Sequence, residues 1–307
     1  MMGHGWRWLG IVALLLMVCL LAVSPAISAN AEAQPLLPED TQGLPLHQDA
    51  VKDADTYEDE SISVHLERIV YHKVECIVAR IKLTDPCQLR TVMANNSYND
   101  TEIVKANVMS KQTNAVLAIN GDYFKFNHSG YLVRQGEVYR ERAKGNRDVL
   151  LIDHLGNFHG LVLPDQAAVD AYLATLDEGL RVMNSFNFGP ILVVDGVAQP
   201  ITTQDFQPRQ HMQRVALAQV GELEYMVFQC TGATDQKTGL TMADFANFIV
   251  QTEPNVKLAY NLDGGGSCQI FFLGERANYN PDTRRICDMV YFASIQPGGE
   301  GLAEAEK

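Results

Sequence analysis

The sequence predicts an α+β fold: a mixed, mainly antiparallel sheet with a few packed helices in a single domain. Three observations carry this. Strand-like stretches outnumber helical ones by several to one. The helices interrupt the strand series instead of alternating with it, which disfavours a doubly wound sheet. Two hairpin turns, Gln135-Gly136 and Asp195-Gly196, each sit between strand-like residues.

The elements follow in chain order. Ile62 to Val70 and Val74 to Leu83 alternate apolar and polar residues with many β-branched positions, the pattern of half-buried strands. The spacing of Ile103, Val104 and Val108, with Asp100 as N-cap, predicts a helix over Thr101 to Lys111. Ala115 to Ile119 reads as a short buried strand running into Asn120-Gly121-Asp122. Further strands are expected at Tyr131 to Val133, Val149 to Asp153, Arg181 to Phe186, Ile191 to Val194, Arg214 to Val220 and Tyr225 to Cys230. The series closes with Leu258 to Asn261, Cys268 to Leu273 and Asp288 to Ile295, and helices are expected at Asp165 to Leu176 and Thr241 to Gln251.

This domain is expected over residues 62–296. Residues 1–33 have the order of a secretory signal. Arg7 precedes an apolar run from Leu9 to Val23, and Ala29-Asn30-Ala31 and Ala31-Glu32-Ala33 have the small-x-small form of a cleavage site. The run is short for a bilayer span, so cleavage is preferred to an N-terminal membrane anchor, and membrane contact is expected only through this segment if it is uncleaved. The expected location is secreted or cell-envelope, outside the cytoplasmic membrane. Residues 34–61 are rich in Pro, Asp, Glu and Gln and predict a disordered linker. Residues 297–307 predict a flexible tail.

Composition narrows the function. With 307 residues, 47% hydrophobic and 20% charged, the chain has the make-up of a globular protein with a sizeable core. A formal net charge of -13 argues against nucleic acid as a partner, because phosphate binding needs a basic patch that releases counterions. Downstream of the apolar run lie Cys76, Cys87, Cys230, Cys268 and Cys287, none in Cys-x-x-Cys spacing, and the histidines lack ligand spacing. No metal and no cofactor are predicted. Cys230, inside the apolar alternation Tyr225 to Cys230, reads as a small buried hydrophobe.

The strongest chemical signal is the strand that runs into Asn261-Leu262-Asp263 and then Gly264, Gly265, Gly266 and Ser267. Consecutive glycines are tolerated where a chain bends sharply or lets a ligand approach the backbone. Residue types alone leave two readings of Asp263 open, a catalytic carboxylate or a turn residue that bonds backbone amides. The run lacks the Lys and Ser/Thr of a P-loop. Asn120-Gly121-Asp122 also ends a buried strand, and on turn preferences alone its structural reading is favoured. Were Asp122 and Asp263 to converge, they would supply the paired carboxyl groups of glycosidic hydrolysis. Arg134, Arg214 and Arg284 lie at strand ends or in strand-like runs, where the guanidinium fork suits phosphate; solvated or salt-bridged arginines are the alternative. Ser185 and Ser267 have no evident His/Asp partners for a serine hydrolase triad.

Taken in order, these pieces resemble the phosphodiester glycosidase family. The likeness spans Ala115 to Ala293 and rests on Ala118 to Phe124, Gly130 to Gly136 with Tyr139-Arg140, and Phe188 to Val193 with Gly196. It continues through Arg214 to Leu217, Gly239-Leu240-Thr241, the Asn261 to Ser267 run, and Arg284 before Asp288 to Tyr291. The resemblance implies hydrolysis of a sugar-1-phosphate diester, for example of N-acetylglucosamine, in a cell-wall polymer or exopolysaccharide. It also implies Asp263 and Asp122 as catalytic residues. Asn120, Arg134, Arg214, Asn261, Gly264, Gly265, Gly266, Ser267 and Arg284 are implied to bind substrate, the arginines holding the phosphate. The sequence departs from the family pattern at Ala218, usually Gly, and at Cys268 and Cys287, usually Ser. That paired change is consistent with a Cys268–Cys287 disulfide if the segments holding them run antiparallel; Cys76 with Cys87 is the competing pair. A glycosidase of neutral glycans, or a non-catalytic glycan-binding or exopolysaccharide-assembly protein on the same scaffold, are the alternative functions. The arginines argue against the first and the two carboxylates against the second.

Overall fold

The chain joins the domain well before Ile62. The computed structural model describes residues 43–99, 102–202, 207–232, 238–281 and 283–296. In it, β1 (Val51–Asp53) and β2 (Thr56–Glu58) lead into the long hairpin of β3 (Ile62–Tyr71) and β4 (Val74–Leu83). The disordered linker expected over residues 34–61 is therefore corrected for residues 43–61. Tyr57 is wholly buried, and its hydroxyl bonds Asp59, whose carboxylate also takes Ser61 N, Ile62 N and Ser294 Oγ. Composition misled here because a strand added to a sheet edge borrows most of its burial from the strands already present, so one aromatic anchor suffices. Tyr57→Ala is expected to cost about 3–5 kcal/mol, read as a shift in the urea midpoint at constant slope. The signal segment and the tail lie outside the described residues.

The remaining elements are β5 (Leu89–Met93), α1 (Ala106–Gln112), β6 (Ala115–Asn120), the hairpin β7 (Gly130–Arg134) and β8 (Glu137–Arg142), and β9 (Val149–Asp153) with β10 (Phe158–Leu161). Then come α2 (Gln166–Leu173), β11 (Val182–Phe186), β12 (Ile191–Val194), β13 (Val197–Ala198), β14 (Arg214–Gly221) and β15 (Glu224–Cys230). The last are α3 (Met242–Thr252), β16 (Leu258–Asn261), β17 (Ile270–Phe272), β18 (Glu275–Arg276) and β19 (Asp288–Ala293). Two helices begin as their sequences dictate. Asp165 caps α2 by accepting from Ala168 N at 2.8 Å, and Thr241 caps α3 by accepting from Asp244 N at 3.1 Å. The helix expected from Thr101 starts only at Ala106, because Val104 is drawn into a two-bond bridge with Ile286 (N···O 3.0 and 2.9 Å).

The domain is dominated by antiparallel sheet, and its two largest sheets face each other. The nine-stranded sheet has the order β1-β2-β3-β4-β15-β14-β16-β12-β13, and the five-stranded sheet the order β18-β17-β6-β19-β5. Period-2 alternation sorts the larger sheet's side chains. Ile77, Val215, Leu217 and Val227 point inward to meet Ile119, Ile270, Val290 and Phe292 of the smaller sheet, while Val78, Ala216 and Phe228 point outward to Phe245 and Phe248 of α3. Helix α1 covers the outer face of the five-stranded sheet, where Met109 packs with Met289 and Tyr291. Among the described residues no helix is long and apolar enough to cross a membrane.

This topology overturns the first expected disulfide. β17 and β19 each pair with β6, so a whole strand separates the segments holding Cys268 and Cys287. Cys76 and Cys87, the competing pair, are free thiols like the other described cysteines.

Candidate active site

Three strand ends meet at one edge of the sandwich. The antiparallel register pairs Asn120 with Met289, which sets Asn120-Gly121-Asp122 beside the head of β19, and Gly121 N donates to Asp288 O at 2.9 Å. The chain leaving β16 brings Asp263 to the same place. Asn120 joins the two loops: its Nδ2 donates to Asp263 O at 2.7 Å, and its Oδ1 accepts from Gln269 N at 3.1 Å. Glycine is required at two points. A Cβ on Gly121 would overlap the Asp288 carboxylate, and Gly265 sits at φ +60° within the 3₁₀ turn Gly265–Ser267. That turn brings the Ser267 hydroxyl onto the Asp263 carboxylate.

The result is a cleft of about 290 Å³, lined among others by Asp122, Asp263, Ser267, Arg284, Arg285 and Asp288. Asp263 is half-buried, whereas Arg284 and Arg285 are exposed. Burial raises the Asp263 pKa to about 6; the Ser267 hydroxyl and the Arg284 charge oppose the rise, and the nearby Asp122 charge adds to it. At the mouth, Tyr123 and Phe126 stack with ring centroids 4.6 Å apart and remain 39% and 51% exposed.

Beneath the cleft lies a buried ionic cluster. Arg134 Nη2 donates to Asp122 Oδ1 at 3.0 Å and to Asp288 Oδ2 at 2.6 Å, with each side chain 2% exposed or less. Its Nη1 donates to the carbonyls of Val133 and Ser185, and its guanidinium lies 4.6 Å from the Phe186 ring centre. Asp122 Oδ2 also accepts from Asn187 N at 2.8 Å. Burial raises the Asp288 pKa; the Arg134 charge counters this and the Asp122 charge reinforces it. With two carboxylates sharing one guanidinium, the cluster carries a net negative charge unless a proton is taken up.

Of the residues expected in one pocket, Asp122, Asp263 and Arg284 share the cleft, together with Asn120 and Ser267. Arg134 and Arg214 do not, which corrects their expected role as phosphate ligands. Arg134 spends both its Nη groups below the cleft floor. Arg214 projects from the outward face of β14, where Nε donates to Leu240 O and Nη2 to the carbonyls of Gln207 and Gln210, all at 2.9 Å. Burial lowers the Arg214 pKa to about 10. Asn261 is not among the residues that line the cleft: it is buried, and its Nδ2 donates to Gly189 O at 2.7 Å. Sequence reasoning missed Asp288, Arg285 and the Tyr123–Phe126 pair. The available signal for Asp288 was a lone acid heading an otherwise apolar strand.

The chain belongs to the phosphodiester glycosidase family, whose model matches residues 113–293. Among solved structures it is similar to the catalytic domain of zebrafish N-acetylglucosamine-1-phosphodiester alpha-N-acetylglucosaminidase, auto-inhibited by its pro-peptide. The identity is 17%, covering 79% of this chain and 87% of that one, with a TM-score of 0.61. It is also similar to a hypothetical protein from Synechocystis at 14% identity, covering 78% of this chain and 64% of that one, with a TM-score of 0.53. At these identities the structures speak to fold alone. No curated protein matches the sequence.

Proposed function

We propose that the protein hydrolyses a sugar-1-phosphate diester at the anomeric carbon, with Asp263 as the reacting carboxylate. The observation that carries this reading is one cleft lined by Asp263 together with the exposed Arg284 and Arg285, the Arg284 charge acting on the Asp263 carboxyl. The cations bind the diester phosphate and stabilise it as it departs. Tyr123 and Phe126 offer an exposed apolar face for the sugar ring.

In the proposed step a water oxygen attacks the anomeric carbon and its proton passes to the Asp263 carboxylate. The carbon–oxygen bond breaks, and its electron pair leaves on the phosphate. The products are a free sugar and a phosphomonoester. A phosphate is a good leaving group and needs no added proton, so the useful carboxylate is a base, and a pKa near 6 suits one working close to neutrality. With Asp288 ionised, the buried cluster of Asp122, Arg134 and Asp288 carries a net negative charge that favours the positive charge developing on the sugar.

The direct test is incubation with the p-nitrophenyl diester of N-acetylglucosamine-1-phosphate. Release of free sugar supports the reading; release of sugar-1-phosphate, or no turnover, overturns it. The pH profile gives a second test. An ionised Asp263 is the active form, so kcat/KM should rise with pH through a midpoint near 6. A fall through the same midpoint would make Asp263 an acid instead. Export to act on a cell-envelope or exopolysaccharide linkage is part of the proposal, supported by the apolar run from Leu9 to Val23; cell fractionation tests it.

A further inference from the structure

A second cleft, of about 480 Å³, adjoins the first and shares Arg284 and Arg285 with it. Its other charged lining residues are Lys105, Lys111 and Arg276, with Glu275 as the one carboxylate among the described residues that line it. These side chains come from three separate segments: α1 with the residue that precedes it, the β18 hairpin and the stretch before β19. All are exposed. Lys111 pairs with Glu275 at 2.9 Å, but at 57% and 80% exposure that pair is weak and yields readily to a stronger anion. An excess of cations gathered in one concavity is unexpected on a chain of net charge -13, and a cleft lined by one sign of charge focuses its field on the opposite sign.

We propose that this second cleft receives the part of the substrate beyond the scissile phosphate, and that this part is a polyanionic chain of repeated phosphodiesters. The inference rests on the proposed function, because Arg284 and Arg285 would hold the scissile phosphate at the junction. The sugar then lies toward Tyr123 and Phe126, and the leaving chain runs past Arg276, Lys105 and Lys111. Nucleic acid fits less well. Single strands are held by stacking on exposed aromatic rings, and the aromatic ring lining this cleft, Phe271, is 2% exposed.

The test uses the triple variant Lys105→Gln, Lys111→Gln and Arg276→Gln, which leaves both shared arginines in place. Two substrates are compared: the p-nitrophenyl diester of N-acetylglucosamine-1-phosphate, and the same sugar phosphate joined to a poly(glycerol phosphate) oligomer. For the oligomer the variant should raise KM about tenfold at low salt with kcat unchanged, and the nitrophenyl diester should be little affected. The loss should shrink as salt rises to 0.5 M, where screening shortens the reach of exposed charges. Equal KM changes on both substrates, or none on either, overturn the proposal. Should the wild-type protein turn over neither substrate, the proposed function fails. Binding of a fluorescent poly(glycerol phosphate) oligomer then still decides the subsite: about tenfold weaker binding by the variant supports it, and equal binding overturns it. Competition by single-stranded DNA as effective as unlabelled oligomer would also overturn the assignment.

Discussion

Asp263→Asn is expected to lower kcat by about 10²–10⁴-fold while the protein stays folded, because the amide keeps the size of the carboxylate but cannot take a proton. The fold should not suffer, and the sign of the stability change can be worked out. Asp263 has a pKa near 6 in the folded protein against 3.8 for an ordinary aspartate, so the folded state holds its proton more tightly than the unfolded chain. Below the unfolded value both states are protonated and nothing is lost. As pH rises from there through about 6, folding becomes progressively less favourable, and the deficit persists above that range. Asparagine has no such deficit. The variant should therefore match the wild type in acid and exceed it in stability at pH 8, the trade of a strained functional group against stability. Denaturant melts at the two pH values, beside a turnover assay, measure both halves. Near-normal turnover in the folded variant would restore the reading of Asp263 as a turn residue.

The second large effect is expected at Arg134. Replacing it by Met keeps the stem but strands Asp122 and Asp288 against each other, each with a side chain 1% exposed. Breaking a buried pair in this way costs about 3–5 kcal/mol, because uncompensated charge is left in the core. Taking up a proton relieves it, so the loss should be largest near pH 8 and smaller near pH 5. Adding Asp288→Asn to Arg134→Met should recover part of the stability, a non-additivity that separates charge from packing. A loss under about 1 kcal/mol, the scale of an exposed pair, would mean that the cluster contributes little.

Much of this molecule is legible in its sequence. Val149–Asp153 and Leu258–Asn261 stand in the structure as their patterns predict, and the Thr241 cap opens α3 on schedule. The glycine run after Asn261 marked the loop that carries Asp263. The ordered pieces from Ala118 to Tyr291 pointed to the family that the match over residues 113–293 establishes. These features are local: period-2 burial, cap chemistry and glycine tolerance are written within a few consecutive residues.

What the tertiary structure alone decided is which polar residues meet. Asp288 reaches Arg134 across 154 sequence positions only because β19 pairs with β6 and Gly121 has no side chain to keep the carboxylate out. Arg134 and Arg214 look alike in sequence, each in an apolar strand. One is buried under the cleft between two carboxylates, and the other is turned to the far side of its sheet to hold backbone carbonyls. A period of two tells a strand which residues share a face, but which face lies against the site is set by its partners in the sheet. Pairing is where the sequence pattern stops and the fold takes over.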